Sequence, residues 1–104
     1  MKTKRSAILY EVVINVAPEA LEDYFSWLRP HMDEMLTFDG FQSADMFFNS
    51  ENENEITCHY RLRDRAAMDA YLAGPAKEMR ADGVKRFGDQ ISAKRRILFS
   101  SASS

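Results

Sequence analysis

Three groupings hold the chemistry that this 104-residue sequence can offer. His59 and Arg61 lie two apart in the alternating run Ile56–Leu62 and therefore share one face of a strand, presenting an imidazole and a fixed cation to an anionic or carbonyl ligand. Trp27 and His31 lie four apart at helical spacing, with Glu34 one turn on. A histidine near neutral pKa beside an aromatic wall suits proton transfer. Arg86, in the run Gly83–Asp89, could reach an anion at the mouth of a cleft.

Each grouping also has a structural reading. His59 and Arg61 could be held in a buried network by Glu11, Trp27 could pack at a subunit contact with His31 solvated, and Gly83-Arg86-Phe87-Gly88 could simply end a helix and turn the chain. Cys58 and His59 are adjacent on a strand, so they point to opposite faces and form no catalytic pair. Cys58 reads as a small core residue.

Several classes of function fall away. A single cysteine closes no internal disulfide and supports no multi-thiolate zinc framework, which points to a reducing cytoplasm. Two histidines and scattered carboxylates give no metal spacing, so no metal site is expected. The four glycines, Gly40, Gly74, Gly83 and Gly88, lie too far apart to cradle a phosphate, and no cofactor is expected. The chain is net acidic and its third strand lacks an aromatic stacking signature, which argues against nucleic acid. Lys2, Lys4 and Arg5 precede an apolar stretch like a leader, but that stretch is interrupted by Glu11 and Asn15 and is far shorter than the ~20 residues of a membrane span. Neither export nor a membrane is expected.

Charge is unevenly spread. Residues 11 to 55 carry eleven carboxylates against Arg29 alone, whereas Pro75 to Phe99 holds seven basic and three acidic side chains. Such asymmetry suits two solvated faces, a basic site for an anion, or complementary surfaces of a dimer.

The elements that must position these groups follow from periodicity. Ile8, Tyr10, Val12, Ile14 and Val16 alternate in a half-buried strand. Pro18 opens a helix expected to run to Leu36, with Leu21, Tyr24, Phe25, Leu28, Met32, Met35 and Leu36 in one stripe and a break at Pro30. Asp39-Gly40 is a turn before a strand from Phe41 to Phe48, in which Gln42, Ala44, Met46 and Phe48 alternate against Phe41, Ser43, Asp45 and Phe47. A polar tip from Asn49 to Glu55 leads to a strand from Ile56 to Leu62. Asp64 caps a short helix to Leu72, Gly74-Pro75 starts another reaching Gly83, and Ile91–Phe99 is the last strand. Ser100–Ser104 is expected to be a disordered tail on a single domain of residues 1–99.

This βαββαβ order predicts an α+β, ferredoxin-like sandwich with a four-stranded antiparallel sheet in the order 4-1-3-2, while right-handed crossovers are taken to make strands one and three a parallel central pair. Both helices cover one sheet face. The other face, with Glu11, Val13 and Asn15 beside Thr57, His59 and Arg61, and Phe47 and Leu98 at its flanks, is too apolar to stay bare and too polar to be dry. A homodimer that closes two such faces around a cleft resolves this, and would place Asn15 opposite His59 and Arg61.

The passages Trp27–His31 and Leu36–Phe41 resemble the dimeric α/β-barrel superfamily, in which a helix carrying a histidine leads into a Gly-Phe turn and the second strand. Gly83–Asp89, followed by a basic last strand, is similar to a small family within it known only as a domain of unknown function. The resemblance spans Ile8 to Phe99 and implies a ferredoxin-like fold and a homodimer. Some relatives are cofactor-independent monooxygenases or haem-degrading enzymes. The haem enzymes share an asparagine on the first strand, here Asn15, but carry their aromatic and histidine partners on later elements, whereas Trp27 and His31 stand on the first helix.

Two functions are consistent with these residues. One is a small homodimeric protein that binds a small organic molecule, anionic or neutral, in the inter-sheet cleft. The other is a cofactor-independent monooxygenase or related small enzyme working through Asn15, His59 and Arg61 there.

Overall fold

The computed structural model describes residues 8–100. Strand β1 (Ile8–Val16) buries every second residue, as its alternation requires. One 3-10 turn at Pro18–Ala20 leads into helix α1 (Leu21–Met35), whose Tyr24, Leu28, Met32 and Met35 form the buried stripe. Strands β2 (Phe41–Asn49) and β3 (Asn52–Leu62) make a hairpin. Helices α2 (Arg65–Ala73) and α3 (Ala76–Phe87) follow, then β4 (Ile91–Phe99). The Asp64 carboxylate caps α2 by accepting from the Ala67 N–H at 2.9 Å.

The sheet order is β2-β3-β1-β4. Every pair in it is antiparallel, β1 with β3 included, which corrects the parallel central pair expected from the sequence. The reason lies in the connections. A right-handed crossover through α1 makes β1 and β2 parallel, and the tight hairpin then reverses β3, which inserts between them. In this register Glu11 faces His59, Leu9 faces Arg61 and Asn15 faces Glu55.

Four local expectations also change. Helix α1 runs through Pro30 without the expected break. Ser26 and Pro30 are both exposed, so the Ser26 carbonyl deprived of its partner faces solvent while the opposite stripe holds the helix to the sheet. A bulge at Gln42 puts Phe41 opposite Leu62 and Ser43 opposite Arg61, so Phe41 joins the core instead of sharing a face with Ser43 and Asp45. The hairpin tip shortens to two residues. Strand β3 starts at Asn52, and the side chains of Asn49 and Asn52 accept from the backbone N–H groups of Glu51 and Asn54. Gly83 lies inside α3, which continues to Phe87 and ends at Gly88. The leader-like basic residues lie outside the described residues, as does the serine tail beyond Ser100.

The core is continuous between the sheet and the helices, from Ile8, Ile56 and Leu62 on the strands to Leu28, Met35 and Met68 on the helices. Leu9, Val13, Thr57 and His59, on the far face, are only half-buried. No described helix is long and apolar enough to cross a membrane.

Candidate functional site

A half-open space lies between the sheet and its helices, on the side opposite the open face. It is a cavity of about 160 Å³. Its floor is built from core-parity residues of the strands: Tyr10, Val12 and Ile14 of β1, Cys58 and Tyr60 of β3, and Ile91, Ala93 and Arg95 of β4. Its roof comes from Tyr24, Trp27, Leu28, His31 and Met35 of α1, Tyr71 of α2, and Met79, Arg80, Gly83 and Val84 of α3.

Trp27 and His31 are brought together as their spacing predicted. Their rings stack at 4.4 Å between centroids with 24° between planes. Trp27 is also held edge-on by Phe87 at 5.8 Å and leans on Tyr24 at 5.6 Å. Gly83 makes room for it, because a Cβ there would sit 3.3 Å from Trp27 Cη2 and 3.6 Å from Ile91 Cδ1. A glycine inside a helix costs about 1 kcal/mol relative to alanine. Here it lets the indole lie close against the helix backbone.

Burial dominates the electrostatics of the cavity. It lowers the pKa of His31; the charge of Arg95 acts in the same direction, and Asp82 opposes them. The imidazole is therefore neutral at pH 7, able to accept a proton or a hydrogen bond. Burial raises the Cys58 thiol to about 11 and the Tyr71 phenol to about 12, and lifts Tyr24 and Tyr60 further, so these groups enter the cavity as neutral hydroxyls and a thiol. Tyr71 Oη donates to Met35 Sδ at 3.4 Å, and Arg80 Nη2 donates to Tyr10 Oη at 3.1 Å.

The lowered pKa of His31 makes stability pH-dependent. Unfolded chains take up a proton as pH falls through about 6.5, while the half-buried folded imidazole resists, so the folded state loses stability as pH falls from above about 6.5 toward the lowered folded value. His31→Gln should flatten that part of a urea-denaturation series. An unchanged slope in the variant would place the effect elsewhere.

The open face gathers a different set. Glu11, whose side chain is 13% exposed, accepts from Arg96 Nε at 2.6 Å and meets His59 Nε2 at 2.9 Å. These hydrogen bonds, Arg96 first and His59 second, hold its carboxyl below the usual range. His59 also lies 5.0 Å from the Phe47 ring. The arginine that closes this network is thus Arg96 of β4, not Arg61, which is exposed beside Ser43 and Leu9 in the register. Asn15 is exposed four residues from Glu11, roughly 13 Å along β1, so the antiparallel register corrects its expected place opposite His59 and Arg61. It lines a shallow groove with Glu11, Val13, Glu55, Lys94, Arg96 and Arg95, the last of which also borders the cavity. Arg86 is exposed on α3, its guanidinium 5.5 Å from the centroid of the Phe87 ring, and does not line the cavity. Cys58 and His59 point to opposite faces, as adjacency on a strand demands.

Sequence reasoning missed Arg80, Arg95 and the tyrosines. One signal was present. Arg95 follows Ile91 and Ala93 at core parity, an arginine where alternation calls for an apolar residue.

A family model described as "Domain of unknown function (DUF4286)" matches residues 7–100. The chain belongs to the DUF4286 family. No curated protein matches this chain. Solved structures of the same fold include a conserved protein of unknown function from Bacteroides thetaiotaomicron, with 14% identity over 93% of this chain and 100% of that one and a TM-score of 0.73. They also include an antibiotic biosynthesis monooxygenase, with 15% identity over 93% of this chain and 99% of that one and a TM-score of 0.70. A variant of SnoaB, a cofactor-independent oxygenase from Streptomyces nogalater, shares 14% identity over 94% of this chain and 95% of that one, with a TM-score of 0.64. At these identities the likeness is one of fold. This DUF4286 chain shares with them an α+β, ferredoxin-like architecture.

Proposed function

We propose that this chain binds a small planar organic molecule in the cavity between its sheet and helices, with Trp27 and His31 in the site. The observation that carries this reading is a half-open cavity of about 160 Å³ with aromatic walls and a few polar groups, the usual form of a small-molecule site. A cavity of roughly 150 Å³ suffices for one benzene ring. Trp27 is the only tryptophan, so its indole N–H signal in a nitrogen-labelled sample reports on the cavity alone. Titration with phenol should shift that signal saturably. Ala93→Phe, which projects a ring from the floor into the space, should abolish the shift and leave the fold intact. A shift that survives Ala93→Phe would move the ligand elsewhere.

The open face is assigned a different role: it closes against a second copy of the chain. Val13 is half-buried on it and Phe47 is 48% exposed, beside the paired charges of Glu11, His59 and Arg96. A paired carboxylate can be covered without leaving an isolated charge, and the apolar residues gain by cover. In this reading His59, Arg61 and Asn15 serve the subunit contact, and Arg86 stays at the surface. The lone, buried Cys58 suits a reducing cytoplasm.

A second reading is favoured by one observation, the neutral His31 stacked on Trp27 inside the cavity. Such an imidazole is placed to take a proton from an enolisable ligand, the first step by which a cofactor-independent oxygenase would prepare its substrate for oxygen. Oxygen uptake with an enolisable aryl ketone, lost in His31→Phe, would support it. Uptake unchanged in that variant would reject His31 as the base.

A further inference from the structure

The rim of the cavity carries two arginines that form no ion pair with a described carboxylate. Arg80 enters from α3 and donates to the Tyr10 hydroxyl at 3.1 Å, which leaves the Tyr10 proton free to be donated onward. Arg95 enters from the opposite wall, from β4, at core parity between Ala93 and Ile97. Both side chains are exposed where they border the same cavity, and the charge of each reaches Tyr71. The acids that pair with arginines do so elsewhere: Glu11 with Arg96, Asp39 and Asp64 with Arg63, and Asp69 with Arg65. Asp82, whose charge reaches His31, forms no ion pair with Arg80 or Arg95.

Two like charges facing one apolar space repel each other unless an anion sits between them. We propose that the cavity takes an aromatic carboxylate, its ring among Tyr24, Trp27 and Tyr60 and its carboxylate at the rim between Arg80 and Arg95, with the Tyr10 hydroxyl as a further donor. A carboxylate matches the planar fork of a guanidinium, and the neutral His31 adds no third cation that would demand a more highly charged group. This rests on reading the cavity as a ligand site and adds to it the charge of the ligand.

The test compares benzoate with benzamide, which has nearly the same shape and no charge, by titrating the Trp27 indole signal of the full chain at pH 7.5. Benzoate should bind at least about tenfold more tightly than benzamide, since hydrogen bonds to a charged group are the stronger kind. Added salt should narrow the gap. Arg95→Gln and Arg80→Gln should each weaken benzoate about tenfold and change benzamide by no more than about twofold. Melting temperatures of the variants check that they fold; should either fail to, the benzoate to benzamide ratio of the unaltered chain and its salt dependence still decide. Equal affinities for the two compounds, or variants that weaken both alike, would overturn the carboxylate and leave the cavity reading standing. Binding of neither compound would overturn both.

Discussion

Gly40→Ala should lower the free energy of unfolding by about 3 kcal/mol, from a strained backbone and from forced separation of packed elements together. Gly40 has φ +86°, a region that costs an L-residue roughly 1–2 kcal/mol. A Cβ there would also sit only 2.3 Å from the Ala67 Cβ, where the first turn of α2 presses on the loop between α1 and β2. Neither atom can rotate away, so α2 or the loop must move, and such overpacking typically costs a further 1–3 kcal/mol. The backbone of Gly40 is fixed from its other side too, because its carbonyl accepts from the Arg63 N–H at 2.8 Å. In a domain of this size the loss corresponds to a Tm lower by roughly 15 °C. Urea denaturation should show a lower midpoint with an unchanged slope. Ala67→Gly removes the collision but, as a glycine inside α2, costs about 1 kcal/mol by itself, so the double variant should be more stable than the sum of the two single losses by about 1–3 kcal/mol. A drop below about 1 kcal/mol in the single variant would show that the loop and α2 are not packed as described.

Val13→Lys should convert a dimer into a monomer. Val13 lies at the middle of the open face, opposite Thr57 on one side and Lys94 on the other. A lysine there meets a like charge across the strand pair, and covering the face would bury it without a partner, at about 3–5 kcal/mol. That raises the dissociation constant by roughly two to nearly four orders of magnitude. Sedimentation at micromolar concentration should therefore show twice 12.0 kDa for the unaltered chain and 12.0 kDa for the variant. Ser26→Lys, on the solvent side of α1, should leave the larger species in place. A 12.0 kDa species for the unaltered chain would remove the open face as a subunit contact.

These two substitutions fall in parts of the chain that differ in how readily they are inferred from sequence. Gly40 after Asp39 marks a turn in any context, because a glycine beside an aspartate between two apolar runs leaves few other conformations. That its missing Cβ also admits Ala67 depends on a helix twenty-seven residues later, which no local pattern contains.

Element order and the two faces of β1 and β3 are legible in the chain, because period-two and helical alternation are local properties, and the antiparallel 4-1-3-2 sheet follows from that order through the rules for connections. The sequence by itself also determined that Trp27 and His31 meet, since residues four apart on a helix share a face. The bulge at Gln42 and the continuation of α1 through Pro30 were decided only in the tertiary structure, where Phe41 joins the core and the buried side of α1 outweighs one exposed, unpaired carbonyl. The site was decided there as well. Alternation marks which side of a strand is covered, but not whether the covering helices fill the space beneath them. Only their packing leaves the cavity that gathers Trp27, His31, Arg80 and Arg95, from α1, α3 and β4, on the face opposite His59 and Arg61.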